Sequence, residues 1–207
     1  MCFRSLSTQA SGAPLAAGNT AVTLLQVGAS FRVRVGVENK ERYILGKQSS
    51  ASFYHSCAIA LNGRAYCWGS GNNGKLGNGS TASYRVPVAV NTSGVLAGKT
   101  IKQISAGENH TCAIASDDRA YCWGSNKNGQ LGNGSTANSN VPVAVNMFGA
   151  LAGKTIKQMS VEFSTSCVVA SDNKVYCWGN NSKGQLGNGS TANSNVPVAV
   201  NTSGVSH

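Results

Sequence analysis

Charge is scarce in this chain. Only 12% of its 207 residues are charged, against roughly 25% in ordinary globular proteins. Acidic groups are scarcer still, with 7 Asp and Glu against 17 Lys and Arg, for a net charge of +10. Asn, Ser, Thr and Gly must therefore supply the polar surface, a composition of turns and loops around short strands rather than of exposed helices. No run of five like charges occurs, so the basic excess reads as a solvated surface and nucleic-acid binding is not the expected use of it. The chain has no apolar run long enough to span a membrane, and Met1 to Thr20 lack the apolar core of a signal peptide. With only 3 His, and with acidic residues mostly in turns, no hydrolytic constellation, cofactor site or metal-ligand set is expected. The segment Gly69 to Lys75 nearly spells a phosphate-binding loop, but Leu76 replaces the hydroxyl residue and the other copies carry Gln130 and Gln185 in place of Lys75.

What the chain does have is repetition. Leu96 to Ala150 recurs as Leu151 to Val205, with 37 of 55 positions identical and no insertion. A more diverged copy lies upstream, so Cys57, Cys112 and Cys167 are equally spaced along the chain, and Trp68, Trp123 and Trp178 share that spacing. A fixed period of this length marks a solenoid, a propeller or an array. We divide the chain into residues 1–46, a lead with a short β segment that could be the remnant of another domain, and repeats at 47–95, 96–150 and 151–207. In the lead, Phe31, Val33, Val35 and Val37 alternate as a half-buried strand, Ala21 to Leu25 read as another, and Met1 to Asn19 read as disordered.

Six of the seven cysteines form pairs ten residues apart: Cys57 with Cys67, Cys112 with Cys122, Cys167 with Cys177. Each pair brackets a polar turn. In the second copy HTCAIA and RAYCWG read as a hairpin closed by Ser116, Asp117 and Asp118, which places Cys112 opposite Cys122, Ala113 opposite Tyr121 and Thr111 opposite Trp123. Opposed residues of an antiparallel pair have Cα atoms about 4.5–5.5 Å apart, within disulfide range. The register favours three disulfides, each contributing roughly 2.5–3 kcal/mol by chain entropy, over reduced core thiols or a metal site. A Cys-x9-Cys spacing is not a zinc knuckle, and the His that precedes the first two pairs is Thr165 in the third. Disulfides place the protein in an oxidising, extracytoplasmic compartment, secreted or at a cell surface, with its export signal outside this chain. One hairpin face carries Tyr121 and Trp123 beside Thr111, Ala113 and Ala115; the other carries the cysteines, Ile114 and Ala120. Neither face is charged, so both are expected to be buried.

Ile101 and Ile104 mark a strand before the hairpin. Val141, Val143 and Val145 mark one after it, with Pro142 confining it to an edge. Four strands per repeat is the content of a propeller blade. The run GENHTCAIASDDRAYCWGSNKNGQLGNGS resembles the repeat of the regulator of chromosome condensation family: His-Ser/Thr before an apolar strand, a polar turn, Tyr-x-Trp-Gly, then Gly-Gln-Leu-Gly. The resemblance runs from about Lys47 to the C-terminus. It implies an all-β fold of three four-stranded antiparallel blades of a β-propeller, seven-bladed in closed members and here incomplete. The paired cysteines resemble the exported bacterial variety of the repeat. Three blades do not close a ring, so a fragment of a longer protein, an open arc or an assembly of chains are the alternatives, and association with further repeats or other chains is expected.

The expected function is that of a non-enzymatic, exported or surface-displayed binding module. Its partner is a protein or glycan, held by the Asn- and Gly-rich loops that begin at Ser70, Ser125 and Asn180. Candidate contact residues there are Asn72, Lys75, Asn126, Lys127, Asn181 and Lys183. The rival readings are guanine nucleotide exchange on a small GTPase with docking on chromatin, which the family resemblance implies, and a structural spacer of a larger surface protein.

Overall fold

The computed structural model describes residues 31–37 and 40–203 and is built from β-strands. The first sheet is β1 (Phe31–Val37), β2 (Lys40–Ala51), β3 (His55–Ala60), β4 (Ala65–Gly69) and β5 (Tyr84–Ala89). The second is β6 (Ile101–Ala106), β7 (His110–Ala115), β8 (Ala120–Gly124) and β9 (Ser139–Ala144), and the third is β10 (Ile156–Glu162), β11 (Thr165–Ala170), β12 (Val175–Gly179) and β13 (Ser194–Ala199). Each sheet is an antiparallel meander whose strands lie in chain order.

The alternating segment Phe31–Val37 is the strand its pattern predicts. It pairs with the first half of β2, while the second half of β2 pairs with β3 as β6 pairs with β7. The β segment ahead of the repeats is thus joined to the first sheet, and β2 runs through the 46/47 boundary. The strand expected at Ala21 to Leu25 and the lead from Met1 to Asn19 lie outside the described residues.

The hairpin register is the expected one. Cys112 pairs with Cys122, Thr111 with Trp123 and Ala113 with Tyr121, and the cysteines of the other two sheets are likewise opposed. The tip closes with a residue of positive φ: Gly63 at 78°, Asp118 at 58° and Asn173 at 63°. These are the residue types that tolerate the left-handed region with least strain. Pro142 and Pro197 stand on the outer strands β9 and β13, where a missing N–H costs no ladder bond.

Burial of both hairpin faces is explained by stacking. The cysteine face of the first sheet (Cys57, Ile59, Ala65, Cys67) packs on Ala113, Tyr121 and Trp123 of the second. The cysteine face of the second (Cys112, Ile114, Ala120, Cys122) packs on Val168, Tyr176 and Trp178 of the third. Small residues on one face thus receive the large rings of the next, and the joints are alike. The cysteine face of the third sheet is more open, with Val175 39% exposed where Ala120 in the second sheet is 0% exposed.

Candidate functional site

The six paired cysteines are joined as three disulfides, Cys57–Cys67, Cys112–Cys122 and Cys167–Cys177, with Cα–Cα distances of 4.0, 4.0 and 4.1 Å. The first two lie inside the joints between sheets and are fully buried.

A buried polar relay crosses the same joints. His55 Nε2 lies 2.7 Å from Thr111 Oγ1, which donates to the Lys75 carbonyl at 2.9 Å, and Trp123 Nε1 donates to that carbonyl at 2.9 Å. One joint further on, His110 Nε2 lies 2.9 Å from Ser166 Oγ, and both Ser166 Oγ and Trp178 Nε1 donate to the Gln130 carbonyl at 2.9 Å. Each hydroxyl has one proton, and the carbonyl takes it. The imidazole must then donate from Nε2, which leaves Nδ1 as an acceptor. Burial lowers the pKa of His110 to about 3 and of His55 to about 4, with nearby positive charge adding to the effect in each case and the Phe163 backbone opposing it at His110. Both rings are neutral at pH 7.

This relay assigns the repeat's motif residues. The His and the Lys/Gln-Leu-Gly turn of one blade hold the Ser/Thr and Trp of the next. Gly132 is required for a spatial reason as well, because a Cβ there would lie 2.6 Å from Trp178 Nε1. A second clamp joins the inner strands: the Gln103 amide donates to Met159 O at 2.8 Å and accepts from Met159 N at 3.2 Å, as Gln48 does with Ile104. The His-Ser/Thr dipeptide of the motif, His55-Ser56 and His110-Thr111, marks these positions in the sequence, though not the inter-blade partners the histidines take; the third copy carries Thr165 instead.

The long loops face the same end of the sheets as the short connections at Glu108 and Glu162, as their strand order requires; Ser125 N donates to Asn109 O at 2.8 Å. They do not, however, present all the expected contact residues. Asn126 and Asn181 are fully buried. The Asn126 amide donates to Ser135 O at 2.9 Å and Ala137 O at 3.0 Å, and its Oδ1 accepts from Leu131 N at 2.9 Å; Asn181 repeats the pattern with Ser190, Ala192 and Leu186. They satisfy the loop's own backbone and are not available to a partner. Lys75 is likewise enclosed: it is 1% exposed, with Nζ on Asn109 Oδ1 at 2.6 Å and Glu108 O at 3.3 Å, and 5.1 Å from the Tyr54 ring centroid. Burial lowers its pKa, opposed by the Glu108 charge. Asn72, Lys127 and Lys183 are exposed on this face.

At the opposite end the recurrent lysines are held to their own blades. Lys99 and Lys154 lie 5.6 Å over the Tyr121 and Tyr176 rings, whose hydroxyls donate to Asp117 and Asp172 at 2.7 Å. Burial and this hydrogen bond push Tyr176 up to about 12, and the same bond holds Asp172 below the usual carboxylate range. Lys102 pairs with Asp118 at 2.7 Å, and Lys157 bonds Asn173 at 2.8 Å. Much of the basic excess is thus part of the repeat's scaffold.

Stacked four-stranded meanders locked through one recurring relay define the blades of a β-propeller. The Regulator of chromosome condensation (RCC1) repeat profile matches residues 62–114, 117–167 and 172–206, and a second profile of the same description matches 47–75, 101–130 and 156–185. The chain belongs to the RCC1 repeat family. The Ultraviolet-B receptor UVR8 of Arabidopsis thaliana is 34% identical over 151 residues, covering 72% of this chain and 33% of that protein. The X-linked retinitis pigmentosa GTPase regulator of Homo sapiens is 34% identical over 146 residues, covering 70% and 14%. The chain spans a third or less of the length of these curated relatives. Among known structures, human WBSCR16 superposes with a TM-score of 0.67 at 20% identity, covering 76% of this chain and 40% of that one. Prp20p from Saccharomyces cerevisiae, described with its binding to Gsp1p and histones, gives 0.66 at 19%, covering 77% and 39%. At these identities the two structures establish the fold alone. No helix among the described residues is long and apolar enough to cross a membrane.

Proposed function

We propose that this chain is a non-enzymatic binding module of an exported or surface-displayed protein, contacting a protein partner with the loop end of its blades. The observation that carries the reading is the cysteine pairing: each of the three blades has its own disulfide. A cytosolic or nuclear protein gains nothing from three such bonds, because the thiol pool there keeps cysteines reduced. The setting that fits is the exported, cysteine-paired bacterial form of the repeat. Buried polar groups in the described blades serve the joints, which supports a scaffold rather than a reaction centre.

Guanine nucleotide exchange is the second reading, favoured by the GTPase regulator among the relatives and by the net charge of +10. Adding the purified chain to a small GTPase loaded with a fluorescent guanine nucleotide separates the two. The module reading expects the spontaneous release rate, unchanged at any chain concentration. Concentration-dependent acceleration would replace it with the exchange-factor reading.

A further inference from the structure

The near-identical second and third repeats diverge most sharply in one place. Residues 129–146 and 184–201 are the same throughout, whereas Ala106 to Thr111 and Val161 to Ser166 differ at all six positions. The identical stretch is the loop whose groups hold one another. The divergent one is the short connection between the first two strands of each blade, and it carries different chemistry in every copy: Ser52-Phe53-Tyr54, Gly107-Glu108-Asn109, Glu162-Phe163-Ser164.

These three tips converge on a pocket of about 330 Å³ whose lining includes Phe53, Gly107, Glu108, Glu162 and Phe163. Phe53 and Phe163 are 81% and 56% exposed, large apolar groups held in water. Phe163 has a φ of 41°, a strained value for a bulky side chain. The pocket contains two of the chain's 7 acidic residues, and among the described residues neither forms an ion pair. Lys75 stands behind Glu108, but its ammonium is committed to the Glu108 carbonyl, Asn109 Oδ1 and the Tyr54 ring.

Two carboxylates and two phenyl walls ask for a flat, donor-rich cation. A metal ion would want a compact oxygen cage instead, and a guanidinium both stacks on aromatic faces and pairs with carboxylates.

We propose that this pocket receives an arginine side chain of a partner polypeptide, with its guanidinium between Phe53 and Phe163 and Glu108 and Glu162 as its charge partners. The proposal rests on the reading of the chain as a protein-binding module and names the chemistry of its partner.

The test uses the full chain, isotope-labelled for backbone NMR, titrated with acetyl-Gly-Arg-Gly-amide and, separately, with its neutral citrulline counterpart. We expect saturable amide shifts confined to Ser52–Tyr54, Gly107–Asn109 and Glu162–Ser164, with the citrulline peptide weaker by about tenfold or more, the loss of one charge-assisted contact. Glu162→Gln and Phe53→Ala alter exposed side chains and should each weaken the arginine peptide while leaving shifts elsewhere unchanged. Equal binding of both peptides, or binding indifferent to both variants, overturns the proposal. Arginine-dependent shifts on another part of the loop end would refute this pocket yet leave the module reading standing, and GTPase acceleration would strike that reading while saying nothing of the pocket.

Discussion

His110 Nε2 of the second blade lies 2.9 Å from Ser166 Oγ of the third, inside a joint from which water is excluded. The pair fixes the spacing of two sheets through one hydrogen bond, and its counterpart, His55 with Thr111, does the same one joint earlier. Replacing the imidazole leaves a buried hydroxyl short of a donor and opens a hole. His110→Ala should therefore lower stability by about 2–4 kcal/mol, with lost packing added to the hydrogen bond. Urea denaturation followed by tryptophan fluorescence measures it.

Acid should act through the same groups. Both histidines have folded-state pKa values far below the ordinary 6.5, at about 4 for His55 and about 3 for His110. Above pH 6.5 they are neutral folded or unfolded and contribute no pH dependence. Below it the unfolded chain binds protons that the folded chain refuses, so stability falls as pH drops from 6.5 towards 4. The slope approaches about 1.4 kcal/mol per pH unit for each histidine. Denaturation midpoints across this range should show the decline, and His110→Gln should make it shallower.

The long loop separates side chains that hold it from side chains it displays. Asn126→Ala strips two carbonyls and an N–H of their partner and should cost at least about 2 kcal/mol. Lys127→Ala, one residue on and exposed, should change stability by no more than about 0.5 kcal/mol. Parallel melts of the two variants check this, and equal losses would mean that burial at residue 126 is misplaced.

Gly132→Ala should be as damaging as a core truncation. The new methyl would lie 2.6 Å from Trp178 Nε1, at a backbone φ of 65°. The expected effect is a loss of about 2 kcal/mol or more, accompanied by a shift in tryptophan emission as the ring leaves the Gln130 carbonyl.

How much of this was legible beforehand depends on the range of the interaction. The ten-residue cysteine offset and the Asp117-Asp118 tip are local, and they led directly to the hairpin register, the disulfide pairing and the blade. Pro142 likewise identified an outer strand. The relay was not legible, because His110 reaches Ser166 in the next repeat, and that contact exists only once the blades are stacked. The loops misled for a related reason. Asn126 looks like a surface residue in any list of polar side chains, yet its amide is the buried centre of a loop that has too few strand partners of its own. The pocket at Glu108 and Glu162 needs three tips brought together from three repeats, and the sequence offered only the hint that those tips differ from copy to copy.

A disulfide-built propeller module proposed to work outside the reducing cytoplasm must carry its disulfides in the native protein. Peptide mapping of that protein, alkylated without reduction as it leaves its source, decides the matter. The expected pairs are Cys57–Cys67, Cys112–Cys122 and Cys167–Cys177, with one of the seven cysteines alkylated. Six or seven alkylated thiols, or pairs that cross from one blade to another, would contradict that proposal.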